Sequence, residues 1–281
     1  MAEPNGILNA FLLSLLAGMG TGLGGLIAIF SKPGKRTFGF LMGITAGVML
    51  TLAFHELVNE AWELQGFVTA TIGFAAGATF MLGLDILIPH IRFGERETTL
   101  FDKPVTQELN QESGFWRRRR RGRNHHGGRI VNQKLLKTGT LLAIGITIHN
   151  IPEGIAVGAG YMHFPEFGLF IAMAILLHNI PEGIATALPL CKSGVSRWNS
   201  FKVALFSGFA EPFGALIAVL FLKSFSFFVP GALAFAGGVM VFITLDELLP
   251  AAREYGHQHY TAVGIILGAI FVFLLSGIFG M

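Results

Sequence analysis

The strongest constraint on this chain is a succession of apolar runs almost free of charge, near 7–30, 38–59, 66–90, 138–161, 167–190, 201–223, 230–250 and 260–280. A bilayer core is crossed by about 20 apolar residues in a helix. Strands would give weak alternating patterns rather than continuous runs. The expected fold is therefore an all-α integral membrane protein, an eight-helix transmembrane bundle. Composition agrees: 52% of residues are hydrophobic and 13% charged, against about 25% charged in a soluble domain. The first run is too long for the apolar core of a signal peptide and has no basic segment before it, so it is read as a span that stays. The single cysteine, Cys191, rules out an internal disulfide and a thiolate metal cluster.

The 20 Lys and Arg residues separate sharply when the runs are drawn as spans, and nineteen of them fall on one side. Only Lys223 lies opposite. The positive-inside rule then makes the odd-numbered loops cytoplasmic and puts both termini outside, in a multi-pass protein of the cell membrane. Three regions follow: 1–90 with helices one to three, 91–134 as a basic cytoplasmic loop expected to be disordered, and 135–281 with helices four to eight. The loop carries "RRRRRGR" at 117–123. A nucleic-acid or nuclear-import role is the sharper reading. A topology signal touching anionic lipid is the simpler one, and no nucleic-acid partner is expected. His125 and His126, in the same loop, are thin grounds for a metal site.

Seven carboxylates fall within the spans: Glu56, Asp85, Glu153, Glu182, Glu211, Asp246 and Glu247, with no Lys or Arg in the span interiors. An ionised group at the bilayer centre costs roughly 2.5–3.5 kcal/mol even on insertion scales. Protonated, hydrogen-bonded carboxyls would answer for a single acid. For seven, beside His55, His149 and His178, a bound cation is the economical counter-charge.

"HNIPEG" occurs twice, at 149–154 and 178–183. His149 and Glu153 are four apart and share a helical face, with Asn150 at its edge; His178, Asn179 and Glu182 repeat the arrangement. Pro152 and Pro181 are expected to kink their helices and free the carbonyls of Ile148 and Leu177. Such carbonyls are tolerated at depth only where protein or a cavity receives them. His149, His178 and Glu211 each sit about midway along their helices, the level at which transporter sites lie. The two copies sit on consecutive antiparallel helices. A second self-similarity pairs "AGVMLTLAFHEL" (46–57) with "GGVMVFITLDEL" (237–248). Together they suggest an inverted repeat, the basis of alternating access in many carriers. His55 and Glu56 then face outside as an entrance pair, and Asp246 and Glu247 face the cytoplasm.

Imidazole, carboxylate and amide ligands suit Zn²⁺, Fe²⁺, Mn²⁺ and Co²⁺. The metal is read as cargo, and no prosthetic group is expected. The enzyme rival is an intramembrane metalloprotease, which needs His-Glu-x-x-His. "HELVN" (55–59) ends in Asn59 and lacks the second ligand, so the chain is read as no enzyme. A divalent-cation channel would use the same ligands; the inverted repeat favours a carrier. "GMGTGLGG" (18–25) has no flanking strand or Lys for a phosphate loop, and Gly18 and Gly22 fit close helix packing instead.

The doubled "HNIPEG", the eight spans, the basic loop after helix three and "SGFAEPFGA" (207–215) resemble the ZIP (Zrt/Irt-like) family of divalent-metal transporters, in particular its bacterial ZupT-type branch. The resemblance covers nearly the whole chain. It implies import of Zn²⁺ or a similar ion, Cd²⁺ included, through a binuclear centre. One site would use His149, Glu153, His178 and Glu182; the other Asn150, Glu153, Asn179, Glu182 and Glu211, with the two central glutamates bridging. "LDILIPH" (84–90) is similar to the family's third-helix segment and implies Asp85 and His90 as exit ligands beside Asp246 and Glu247. Many relatives carry His-Glu where this chain has Asp246-Glu247, which makes its exit harder and less zinc-like. A homodimer is compatible with the resemblance.

Overall fold

The computed structural model describes residues 4–31, 33–87, 133–255 and 258–280. The basic segment 91–134, apart from its last two positions, lies outside them, as do His90, His125 and His126. Every element among the described residues is helical. Helix α1 is Pro4–Ser31 and α2 is Lys35–Thr51, which runs through a π-helical segment π1 (Leu52–Val58) into α3 (Asn59–Leu87). Next come α4 (Gln133–His163), α5 (Pro165–Ser193), α6 (Arg197–Gly208) and α7 (Ala210–Ser224). A short 3₁₀ turn, Ser226–Phe228, precedes α8 (Val229–Ile243), a second π segment π2 (Thr244–Leu248), α9 (Leu249–Tyr255) and α10 (Gln258–Phe279).

Local chemistry explains the joints. Phe164 alone, in extended geometry, links α4 to α5, and Pro165 opens α5 where its missing N–H costs nothing. Gly194 closes α5 in the left-handed region at φ 103°. Ser196 then caps α6 by accepting from the Asn199 amide at 3.2 Å.

Among the described residues, six stretches are long and apolar enough to cross a membrane: Gly6–Ser31, Arg36–Leu87, Pro165–Ser193, Arg197–Ser224, Ser226–Asp246 and Gln258–Phe279. The second is 52 residues, about twice what a bilayer needs. Its backbone leaves helical geometry at Gly66, φ 82° and ψ 169°, where the sequence places the turn between helices two and three. Helix α4, 31 residues, also has spanning length. The protein is a multi-pass membrane protein with an apolar surface and an apolar core that encloses a group of buried polar residues. Leu8, Leu12, Leu16, Met19, Leu23 and Ile27 form an exposed apolar stripe along α1. His149, Asn150, Glu153, His178, Asn179, Glu182 and Glu211 are all buried.

The packing obeys one exchange rule. Helix α1 packs on α5, and α6–α7 on α4; α3 packs on α8, and α10 on α2; α8 touches α4, and α2 touches α5. Swapping α4 with α5, α1 with α6–α7, α2 with α8 and α3 with α10 returns the same contacts. Individual residues keep the rule. A Cβ on Gly47 would strike the Ile265 carbonyl, and one on Gly238 the Phe74 carbonyl. Likewise Gly77 lies against the Phe235 carbonyl and Gly268 against that of Ile44. In each of these pairs the numbers on one side return those on the other when 191 is added. Segments π1 and π2 hold the matched "FHEL" and "TLDEL". Glycine seams let backbones meet closely, which replaces the hydrophobic drive that lipid does not supply.

Gly66 is in a region of backbone space open to little but glycine, where another residue costs roughly 1–3 kcal/mol. Gly66→Ala is expected to lower the melting temperature in detergent by several degrees. Gly83→Ala, in open space on α3, should leave it unchanged or raise it slightly; equal shifts for the two would contradict the turn assignment.

Candidate metal centre

The doubled motif places its His, Asn and Glu side chains on two antiparallel helices joined by a single residue, so the copies face one another. His149 and Glu153 stand about one turn apart on α4, as do His178 and Glu182 on α5. The pairing is crosswise. His178 Nε2 lies 3.1 Å from Glu153 Oε1, and His149 Nε2 lies 3.4 Å from Glu182 Oε2. Each imidazole thus meets the carboxylate of the other helix, which the exchange of α4 with α5 requires. Ligand atoms of His149, Glu153 and Glu182 all fall within 4.8 Å of one another, a spacing that fits one cation. Both helices continue through Pro152 and Pro181 without losing helical assignment.

The asparagines use one end of their amides as struts. Asn150 Nδ2 donates to the Ser207 carbonyl at 3.0 Å, and Asn179 Nδ2 to the Ala17 carbonyl at 3.0 Å. Asn179 also donates to Glu211 Oε1. Their carbonyl oxygens, Oδ1, have no hydrogen-bond partner, nor do Glu153 Oε2, Glu182 Oε1 and Glu211 Oε2. Buried acceptors left unpaired are costly. These buried oxygens, with two imidazoles beside them, make a donor set that fits divalent transition ions.

Glu211 owes its place to a helix break. The long apolar run 201–223 is two helices, ending at Gly208 and restarting at Ala210. Pro212 explains this: it lacks an N–H and its ring excludes the carbonyl four residues back, that of Gly208. The break puts Glu211 in the first turn of α7, where the helix dipole favours an anion. Thr45 Oγ1 on α2 reaches the His178 carbonyl at 3.2 Å and ties the centre to the second apolar run. Sequence reasoning passed over Thr45 and the break, though Pro212 signalled the latter.

The expected entrance and exit residues that the structure describes lie on other elements, π1, α3 and π2. His55 Nδ1 contacts Glu56 Oε1 at 3.1 Å, with His55 exposed and Glu56 buried in π1. Asp85 is half-buried near the end of α3, and Asp246 is exposed in π2. Neither belongs to the three-residue group. The side chain of Glu247, like His90, lies outside what the structure describes.

A family model described as ZIP Zinc transporter matches residues 95–276. The chain belongs to the ZIP zinc transporter family. Its ZIP relatives include a protein named zinc transporter ZupT from Akkermansia muciniphila, 40% identical over 94% of this chain and 95% of its own length. Another is zinc transporter ZTP29 from Arabidopsis thaliana, 38% identical over 93% and 91%. A ZupT protein from Chlorobium chlorochromatii is 38% identical over 94% and 95%. The ZIP model leaves α1 to α3 outside its bounds, and the relatives supply that part.

Asn179 offers a check on the strut assignment. Asn179→Leu removes the donor to Glu211 and to Ala17, and should cost roughly 1–3 kcal/mol, read as a lower melting temperature in metal-free detergent. Asn150→Leu spares Glu211 and should cost less. The reverse order would show that Asn179 does not support Glu211.

Proposed function

We propose that this chain imports divalent transition-metal ions, Zn²⁺ first, into the cytoplasm through a midplane centre on α4, α5 and α7. The observation that supports this best is the buried, crosswise His149–Glu182 and His178–Glu153 pairing. No Lys or Arg lies between Lys137 and Lys192 to balance those glutamates. A cation in transit supplies the missing charge. The family relation, and relatives named as zinc transporters, support Zn²⁺ as cargo.

The donor set divides into two overlapping sites. His149, Glu153, His178 and Glu182 hold one ion. Asn150, Glu153, Asn179, Glu182 and Glu211 hold a second, with the two central glutamates bridging. Two cations sharing carboxylates repel one another, which weakens each and favours release. Protons compete for the same lone pairs, so acidification on the receiving side promotes discharge. The exchange rule gives each half of the bundle an equivalent partner, and rocking one half on the other opens the centre to either face. The basic loop 91–134 on the cytoplasmic side, with both termini outside, completes the orientation. Zn²⁺ is favoured by the imidazoles; Fe²⁺, Mn²⁺, Co²⁺ and Cd²⁺ share the remaining chemistry.

Uptake into proteoliposomes tests this. Glu153→Ala and Glu182→Ala each remove a ligand from both sites and are expected to abolish Zn²⁺ uptake; normal uptake by either at equal expression would defeat the bridging role. Glu211→Ala removes a ligand from one site only and should retain a measurable fraction. Saturable counterflow is expected for a carrier, and single-channel currents would mean a pore instead.

A further inference from the structure

The exchange rule reaches α1 residue by residue. Gly18 and Gly208 each press on the other's carbonyl. Gly24 lies against the Ile180 carbonyl and Gly214 against that of Ile151; Gly183 lies against the Thr21 carbonyl and Gly154 against that of Glu211. Adding 190 carries 18, 21 and 24 onto 208, 211 and 214. Thr21 therefore occupies, in one half of the bundle, the place that Glu211 occupies in the other. Asn150 likewise matches Asn179, and their strut carbonyls, Ser207 and Ala17, match as well.

Thr21 is fully buried, and its hydroxyl has no hydrogen-bond partner. Its isolation has a cause. Thr45, Thr140, Thr147, Thr186 and Thr244 all donate to the carbonyl four residues back. For Thr21 that carbonyl is Ala17's. It already accepts the helical N–H of Thr21 and the Asn179 amide, which fills both lone pairs. The Asn179 strut thus leaves the Thr21 hydroxyl unused. Thr21 shares a helix face with Gly18, whose Cβ position lies 3.5 Å from Glu211 Oε1. Its Cβ also lies 3.2 Å from the Cβ position of Gly208.

A threonine oxygen ends two bonds short of a glutamate oxygen. Where Glu211 accepts from Asn179 Nδ2 directly, the matched Thr21 is shorter by two bonds, about 2.5 Å, which leaves room for a water on the Asn150 side. We propose that Thr21 and the Asn150 amide form a neutral half-site. It receives a water carried by the transported divalent cation and makes Thr21 a specificity-determining residue. The inference rests on the transport reading above. One half of the centre is then acidic and the other neutral. Ions that keep their water, such as Mn²⁺, depend on the neutral half more than Cd²⁺, which sheds it for softer ligands.

Uptake of Mn²⁺ and Cd²⁺ by proteoliposomes carrying the full chain decides it. Thr21→Val keeps the shape and removes the hydroxyl. Its KM for Mn²⁺ should rise roughly 3- to 10-fold, the worth of one hydrogen bond, with KM for Cd²⁺ and both maximal rates little changed. Thr21→Ser should restore the parent KM. Ser14 is the other buried, unpartnered hydroxyl on this helix. It maps onto Ala204, so Ser14→Ala should match the parent. A Thr21→Val protein with unchanged Mn²⁺ KM, equal shifts for both ions, or a Ser14→Ala shift of similar size would each overturn the assignment. Absence of uptake by the parent would overturn the transport reading instead.

Discussion

Two carboxylates and two imidazoles held crosswise between antiparallel helices are the contact around which this bundle is organised. Each glutamate of α4 and α5 reaches a histidine on the opposite helix, so neither helix satisfies its own acid. The arrangement works only if α4 and α5 stay face to face at fixed register. The one-residue link at Phe164 sets that register. The struts from Asn150 to Ser207 and from Asn179 to Ala17 then hang α6 and α1 on the same frame. Glu211 follows, carried by a helix whose restart before Pro212 keeps it beside Asn179. The desolvation cost of burying these groups is offset by packing of the surrounding rods, because lipid contributes little to helix association.

That packing is unusual in using almost no interdigitating side chains at its closest points. Gly47, Gly77, Gly238 and Gly268 abut carbonyl oxygens of neighbouring helices, where weak Cα–H contacts replace knobs and holes. The larger side chains, among them Phe167, Phe170, Met42 and Met81, fill the space between seams. The buried His, Asn and Glu of α4, α5 and α7 gather in one cluster, and the large exposed side chains are mostly Leu, Ile and Phe.

Much of this was legible in the residues. Length and charge gave the all-helical membrane class. The doubled "HNIPEG" pointed to facing His and Glu side chains, because a four-residue interval on two consecutive helices admits few other arrangements. The helix break near Glu211 was hidden inside an unbroken apolar run, since hydropathy is blind to backbone continuity; only Pro212 betrays it. The π segments were equally invisible, as an extra residue in a turn leaves no compositional mark. The likeness of "GMGTGLGGLIAI" (18–29) to "GFAEPFGALIAV" (208–219) was present in the sequence. It went unused because Thr21 and Glu211 differ in charge and only the structure shows them to be counterparts. Asp85, Asp246 and His55 stood out as acids and imidazoles in apolar runs, yet a single helix end says little about what it will meet.

The exchange of halves has an energetic meaning. Under the alternating access proposed above, two identical halves would make the conformation open to one face and its counterpart open to the other degenerate, each populated equally. Every matched position where the halves disagree therefore lifts that degeneracy. His55 against Asp246, Thr45 against Ala236 and Thr21 against Glu211 are such positions. The resting bias between the two facings is written in these mismatches, while the glycines shared by both halves leave it untouched.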